Sequence, residues 1–159
     1  SGDSLEPQPT FVTTTLQEPD NLRPEQMVGP IHVHPSGKFV YLGNRASGLI
    51  DVQGKKVAAG GENAVAVFTI DAKTGAPKLV QGIDTHGYHP RTFSIDPSGR
   101  MLVVANLQEQ PVRDGDGVRT QPATLSTYRI GVDGRLTSVK VYDIETNGMT
   151  QWWCGFITT

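Results

Sequence analysis

The chain has 159 residues, of which 36% are hydrophobic and 19% charged, and a formal net charge of -2. That length suits one ordinary domain, the composition is too apolar for a disordered chain, and the charge lacks the basic excess that a nucleic-acid or anionic-membrane partner requires. No apolar run approaches the roughly 18 residues of a membrane span, no secretory signal pattern opens the chain, and the lone Cys154 excludes an internal disulfide while leaving the compartment open.

Ser1 to Ser4 is compatible with a cut end, and Leu5 to Pro9 reads as a polar linker. Phe11 to Leu16, rich in β-formers, predicts a strand. After a loop over Asp20 to Gln26, Ile31 to Val33 and Phe39 to Gly43 predict two strands around the turn Pro35-Ser36-Gly37. A long Gly-rich loop, Ala46 to Glu62, leads to Ala64 to Ile70, apolar on both faces. Asp71 to Gly75 then turns the chain into Lys78 to Gly82. The order repeats. Arg91 to Ile95 and Met101 to Ala105 flank the turn Asp96 to Gly99. A second long loop, Leu107 to Pro122, precedes Thr124 to Ile130. Asp133-Gly134 turns into Leu136 to Ile144, and Trp152 to Ile157 reads as a last strand. No segment sustains a helical period.

The two halves copy one another. Val33-His34-Pro35-Ser36-Gly37 and the strand after it return as Ile95-Asp96-Pro97-Ser98-Gly99 and its strand, with Pro35 and Pro97 standing 62 positions apart (97 − 35). Self-similarity at a fixed spacing marks stacked units that cannot bury their own faces. Four antiparallel strands per unit describe a β-propeller blade. The fold class is therefore all-β, about two and a half blades of a larger disc. The divisions expected are residues 1–28 as linker plus the outer strand of a preceding blade, 29–84 and 85–146 as two blades, and 147–159 as a closing inner strand. Because closed propellers need at least four blades, the remaining ones are expected on another chain or in a missing N-terminal part. The isolated segment should be unstable or oligomeric, since bare blade faces and edges invite association.

In such a meander the links between strands one and two, and three and four, share one end of every blade. The other end collects the long links, where binding groups concentrate. Asn44, Arg45, His86, His89, Arg91 and Asn106 fall at that end.

The repeated segments resemble a known family. Ile31 to Gly37 with Tyr41-Leu42-Gly43-Asn44-Arg45, Asn63 to Asp71 and Thr85 to Gly99 are similar to the last two blades of the seven-bladed propeller lactonases, a family that includes 6-phosphogluconolactonase and carboxymuconate cyclase. Trp152 to Ile157 is similar to its closing strand. The resemblance implies a hydrolase acting on an anionic sugar lactone such as 6-phosphogluconolactone, without a cofactor. A cycloisomerase or a non-catalytic binding scaffold are the alternatives. Arg91, in its Pro-Arg pair, is the arginine carried over first and Arg45 second.

On chemistry, Arg91 suits a clamp on a carboxylate or phosphate, and His86 or His89 suits a general base. Those three are the expected catalytic residues, with Arg45, Asn44 and Asn106 binding substrate. Arg45 also suits a tie between blade loops. His32 and His34 lack a third metal ligand, and His34 takes the turn position of Asp96, which suggests capping. Trp152, Trp153 and Phe156 are expected between blades rather than on a sugar. Cys154 is expected as a buried small residue, and Asp114 and Asp116 lack the spacing of a calcium loop.

Overall fold

The computed structural model describes residues 7–157, which form twelve strands and no helix. The expected cut end at Ser1 to Ser4, the first residues of the Leu5 to Pro9 linker and the last two residues of the expected closing strand lie outside the described residues. β1 (Gln26–Val33) and β2 (Phe39–Ala46) begin the first blade. β3 (Leu49–Val52) and β4 (Lys55–Ala58) form an inserted hairpin, and β5 (Ala64–Ile70) and β6 (Pro77–Asp84) complete the sheet in the order β1-β2-β5-β6. The second blade follows the same plan. β7 (Pro90–Ile95), β8 (Met101–Asn106), β11 (Ala123–Ile130) and β12 (Leu136–Ile144) pair in chain order, and the hairpin β9 (Gln110–Asp114) and β10 (Gly117–Gln121) is inserted between β8 and β11. Every pairing is antiparallel.

The blades stack because their central strands are apolar on both faces. Val65, Ala66 and Val67 of β5 are wholly buried, as are Leu102 and Val104 of β8. β-branched and small side chains in such runs suit a sheet covered on two sides. Tyr41, Val65, Val67, Phe93, Leu102 and Tyr128 meet in one core between the sheets. Hydrogen bonds register that contact. The Tyr41 hydroxyl donates to the Gly134 carbonyl at 2.8 Å, and the Tyr128 hydroxyl to the Asp84 carbonyl at 2.7 Å. The Gln81 amide grips both backbone groups of Leu136 across the interface. Burial pushes both phenol pKa values up, so each stays a donor.

The tight-turn end is also tied across blades. Ser36 N–H donates to His34 Nδ1, and the opposite ring nitrogen, Nε2, meets the Gly99 carbonyl at 2.8 Å in the equivalent turn. Gly99 sits at φ +70° with the imidazole so close that a Cβ would stand 2.5 Å from Nε2, so only glycine fits. Asp96 caps its own turn from the same place, accepting from the amides of Ser98 and Arg100.

Three sequence expectations need correction. The stretches Ala46 to Glu62 and Leu107 to Pro122 are not irregular loops, since each contains a two-residue β-hairpin. Gln53 and Gly54 both have positive φ, as a type I′ turn demands, and Gly115 holds the first central place of the other turn at φ 58°. The signal was Gln53-Gly54 and Gly115-Asp116 between short β-prone runs. Phe11 to Leu16 and Trp152 to Ile157 form no ladder, because a ladder needs sister strands that the described residues do not supply. They lie across sheet faces instead. Phe11, Val12 and Thr13 line an apolar cleft of about 400 Å³ above Leu42, Phe68 and Ile70. Cys154 Sγ lies 3.7 Å from the Thr92 carbonyl on the far face of the second sheet.

Candidate functional site

Two further corrections concern Asn44 and Asn106, expected to hold substrate. Both are buried, at 1% and 0% exposure, and do the same structural job. Asn106 Oδ1 accepts from the Thr85 hydroxyl at 2.9 Å, and its amide donates to the Thr85 carbonyl and to Thr124 Oγ1. Asn44 accepts from the Thr15 hydroxyl at 2.6 Å and donates to the Thr15 carbonyl at 2.7 Å. Asn106 ends β8 and Asn44 lies two residues before the end of β2, and each clamps the segment entering its blade. Their amides have no exposed surface to offer a ligand. The Thr15 contact repeats the Thr85 contact, so residues near Thr15 stand where the tail of a preceding blade would.

Arg91 is set differently. In the β7–β8 ladder Pro90 faces Asn106 and Thr92 faces Ala105, which leaves Arg91 as the extra, bulged residue. A bulge frees a side chain from the alternation of its strand and re-aims it, which is why bulges gather beside functional sites. The Arg91 guanidinium carbon lies 4.9 Å from the centre of the Trp152 ring, a cation–π contact. Trp152 and Trp153 are 61% and 76% exposed, so they are not packed between blades among the described residues.

Residue 29, which is 62 positions before Arg91, is a glycine on the irregular stretch of β1 between Val28 and Ile31. Arg45 follows Asn44, whereas Leu107 follows Asn106. The stem of Arg45 fills the space beside Gly29, where a Cβ would touch its Nε at 3.6 Å. Each blade thus supplies one arginine from a different place in the repeat. Arg45 Nε and Nη1 are buried without a hydrogen-bond partner. Burial, then the neighbouring Arg91 charge, pulls the Arg45 pKa down from its ordinary value.

His89 completes the group. Burial lowers its pKa, and the charges of Arg45 and Arg91 lower it further. Both causes favour the neutral imidazole. Its backbone is left-handed, φ 56°, an uncommon state for a non-glycine residue. The carboxamide of Asn63 holds it there: Asn63 Oδ1 accepts from His89 N at 2.8 Å and from Ala46 N at 3.1 Å. Asn63 therefore fixes His89 next to the strand end that carries Arg45. The sequence reading missed this positioning role, and Asn63 falls between the two repeated motifs that would have drawn attention to it.

His86 is separated from this cluster. It is exposed, has φ 59°, and lines a polar cleft of about 520 Å³ with Asp84, Glu62 and Arg119. The structure groups Arg45, His89 and Arg91 and leaves His86 on another opening. No carboxylate forms an ion pair with Arg45 or Arg91 among the described residues. His32 packs against the Phe93 ring at 4.6 Å and His34 caps its turn, so both have structural contacts here. Cys154 has its thiol pKa raised by burial, against a nucleophilic role.

Two guanidinium groups beside a neutral imidazole, with two donors unsatisfied and no counter-charge, make a site for an anion. Because Arg45 Nε and Nη1 have no exposed surface, an anion would be met by the remaining donors of the two guanidinium groups.

Comparison with known proteins agrees on the fold. A family described as lactonase, 7-bladed beta-propeller matches residues 7–113. A 6-phosphogluconolactonase of Formosa agariphila is 41% identical over 76 residues, covering 48% of this chain and 18% of that protein. A 6-phosphogluconolactonase of Bacillus subtilis is 31% identical over 88 residues, covering 55% of this chain and 21% of its own length. The crystal structure of a Lactobacillus plantarum protein superposes with a TM-score of 0.57 at 25% identity, over 81% of this chain and 29% of that one. The chain spans about a fifth of the length of the two curated relatives.

Proposed function

The chain belongs to the seven-bladed β-propeller lactonase family, and from that premise we propose that it contributes part of the active site of an enzyme that hydrolyses an anionic sugar lactone, 6-phosphogluconolactone being the first candidate. The observation that carries the reading is the grouping of Arg45 and the bulged Arg91 around His89, with no carboxylate paired to either arginine among the described residues. The names of the relatives support the substrate class.

In this reading water adds to the lactone carbonyl carbon while a base takes its proton. Negative charge develops on the carbonyl oxygen, and a guanidinium placed at that oxygen stabilises it more than the ground-state carbonyl. The ring C–O bond then breaks, the leaving alkoxide is protonated, and the product is a carboxylate. His89 is suited to accept the proton because burial, and then its two cationic neighbours, favour its neutral form. The arginine that does not meet the oxyanion holds the anionic substituent.

The test is lactone opening, followed by acid release, for the protein carrying these residues. Arg91→Ala should lower kcat/KM by about 100-fold, the loss typical of one oxyanion-stabilising group, with an unchanged melting curve. An Arg91→Ala protein that opens the lactone at the original rate would overturn the reading.

A further inference from the structure

The two inserted hairpins are built as a unit that the repeat does not require. β4 packs against β9, and the valine each contributes, Val57 and Val112, is buried. Gln53 Nε2 donates to the Asp116 carbonyl, joining the tips. At their base they enclose a cavity of about 210 Å³ with Leu49, Tyr88 and Leu107 on its apolar side, Gln108 and Gln110 on its polar side, and His89 in its wall. His89 is the same side chain that senses the charges of Arg45 and Arg91. His89 and Ala46, the neighbour of Arg45 in β2, both stand in the wall, so the cavity lies next to the segment that carries the cationic cluster.

We propose that this hairpin-lined cavity is a second subsite, which holds an uncharged sugar ring joined to an anionic open-chain acid; the ligand is then a glycosylated aldonate, with its carboxylate at the arginines and its one ring in the cavity. The inference rests on the anion-binding reading of Arg45 and Arg91. The volume suits one ring, since a cavity of roughly 150 Å³ already admits benzene. The chemistry suits a sugar rather than a hydrocarbon. A tyrosine and two leucines match the C–H face of a pyranose. Two carboxamides, each offering donors and acceptors, match hydroxyl groups that are both. The hairpins' shared core fixes that wall in advance, so the ligand need not order it.

The experiment compares two acids with the same carboxylate end. Gluconate and cellobionate differ by one glucosyl ring, and titration calorimetry on the full protein reads both affinities. Cellobionate should bind at least about tenfold more tightly. Leu49→Trp, at a half-exposed position on the cavity wall, should abolish that preference and leave gluconate unchanged. Gln108→Ala, which spares the packing, should reduce it several-fold. Equal affinity for the two acids, or a preference that survives both substitutions, overturns the second subsite while the anion site stands. Gluconate affinity that is unaffected by Arg45→Ala overturns the anion site and the subsite with it.

Discussion

The two ends of the blade pair are made by opposite uses of the same repeat. At the tight-turn end the copies agree. His34 and Asp96 cap equivalent turns, and the His34 ring bridges to Gly99 of the other. At the hairpin end the copies diverge at the residues that carry charge: Gly29 stands opposite Arg91 in the repeat, Met27 opposite His89, and Arg45 opposite Leu107. Where the repeat is kept, the buried Asn44 and Asn106 side chains and the turn caps find partners and the residues stabilise. Where it is broken, donors are left without partners and a ligand is implied. Repetition marks the scaffold, and departure from it marks the site.

The sharpest way to test that division is to remove an agreed residue and a divergent one. Asn106→Ala deletes three buried hydrogen bonds and opens a cavity at the start of the second blade, while the Thr85 carbonyl keeps the Ser126 hydroxyl as its donor. It should cost on the order of 3–5 kcal/mol, read as a fall in the urea midpoint. Asn44→Ala, whose partner Thr15 is half-buried, should cost less, about 1–2 kcal/mol. If the two losses are equal, the segment around Thr15 is held as firmly as the link between the blades.

Arg45→Met should do the reverse. It removes two buried donors that nothing satisfies, so stability without ligand should rise by about 1 kcal/mol while anion binding is lost. Acidity offers a smaller effect at the same end. Because the folded-state pKa of His89 is depressed below its ordinary value, the unfolded chain binds the extra proton more readily. Stability is then full above pH 6.5 and declines as pH falls below it. A bound anion raises that pKa. Binding should take up a proton and strengthen as pH falls from 7, by less than about tenfold per unit for one site, measurable by calorimetry in two buffers of different ionisation enthalpy. The smallest effect belongs to His34→Asp. It keeps the cap that Asp96 shows to work and loses the bridge to Gly99 and the ring contacts with Phe39 and Tyr41, for about 0.5–1 kcal/mol.

Much of the fold was legible because its signals are local and duplicated. The Pro-Ser-Gly turns, the apolar run Ala64 to Ile70 and the 62-residue spacing fixed the blades, the strand order and the end that gathers Arg45, His89 and Arg91. The hairpins were overlooked because four- and five-residue strands joined by Gln53-Gly54 and Gly115-Asp116 are weak alone and become stable only by packing on each other. Phe11 to Leu16 and Trp152 to Ile157 carry strand-like residues, but a ladder depends on sister strands, which a propensity does not reveal. At the site, the pattern placed Asn44 and Asn106 at the functional end without showing which way they face. The bulge that singles out Arg91 is a matter of register, invisible until Pro90 and Thr92 are seen to face neighbouring residues.

The most direct test of the anion site is thermal stability as inorganic phosphate is added, for the protein as it stands and for Arg45→Met. The account predicts crossing behaviour. The substituted protein melts higher without phosphate and does not respond to it, while the unsubstituted protein gains stability with concentration as a ligand-binding native state must. Equal gains for both, or a substituted protein that melts lower throughout, would show that Arg45 braces the blades and that the cationic cluster holds no anion.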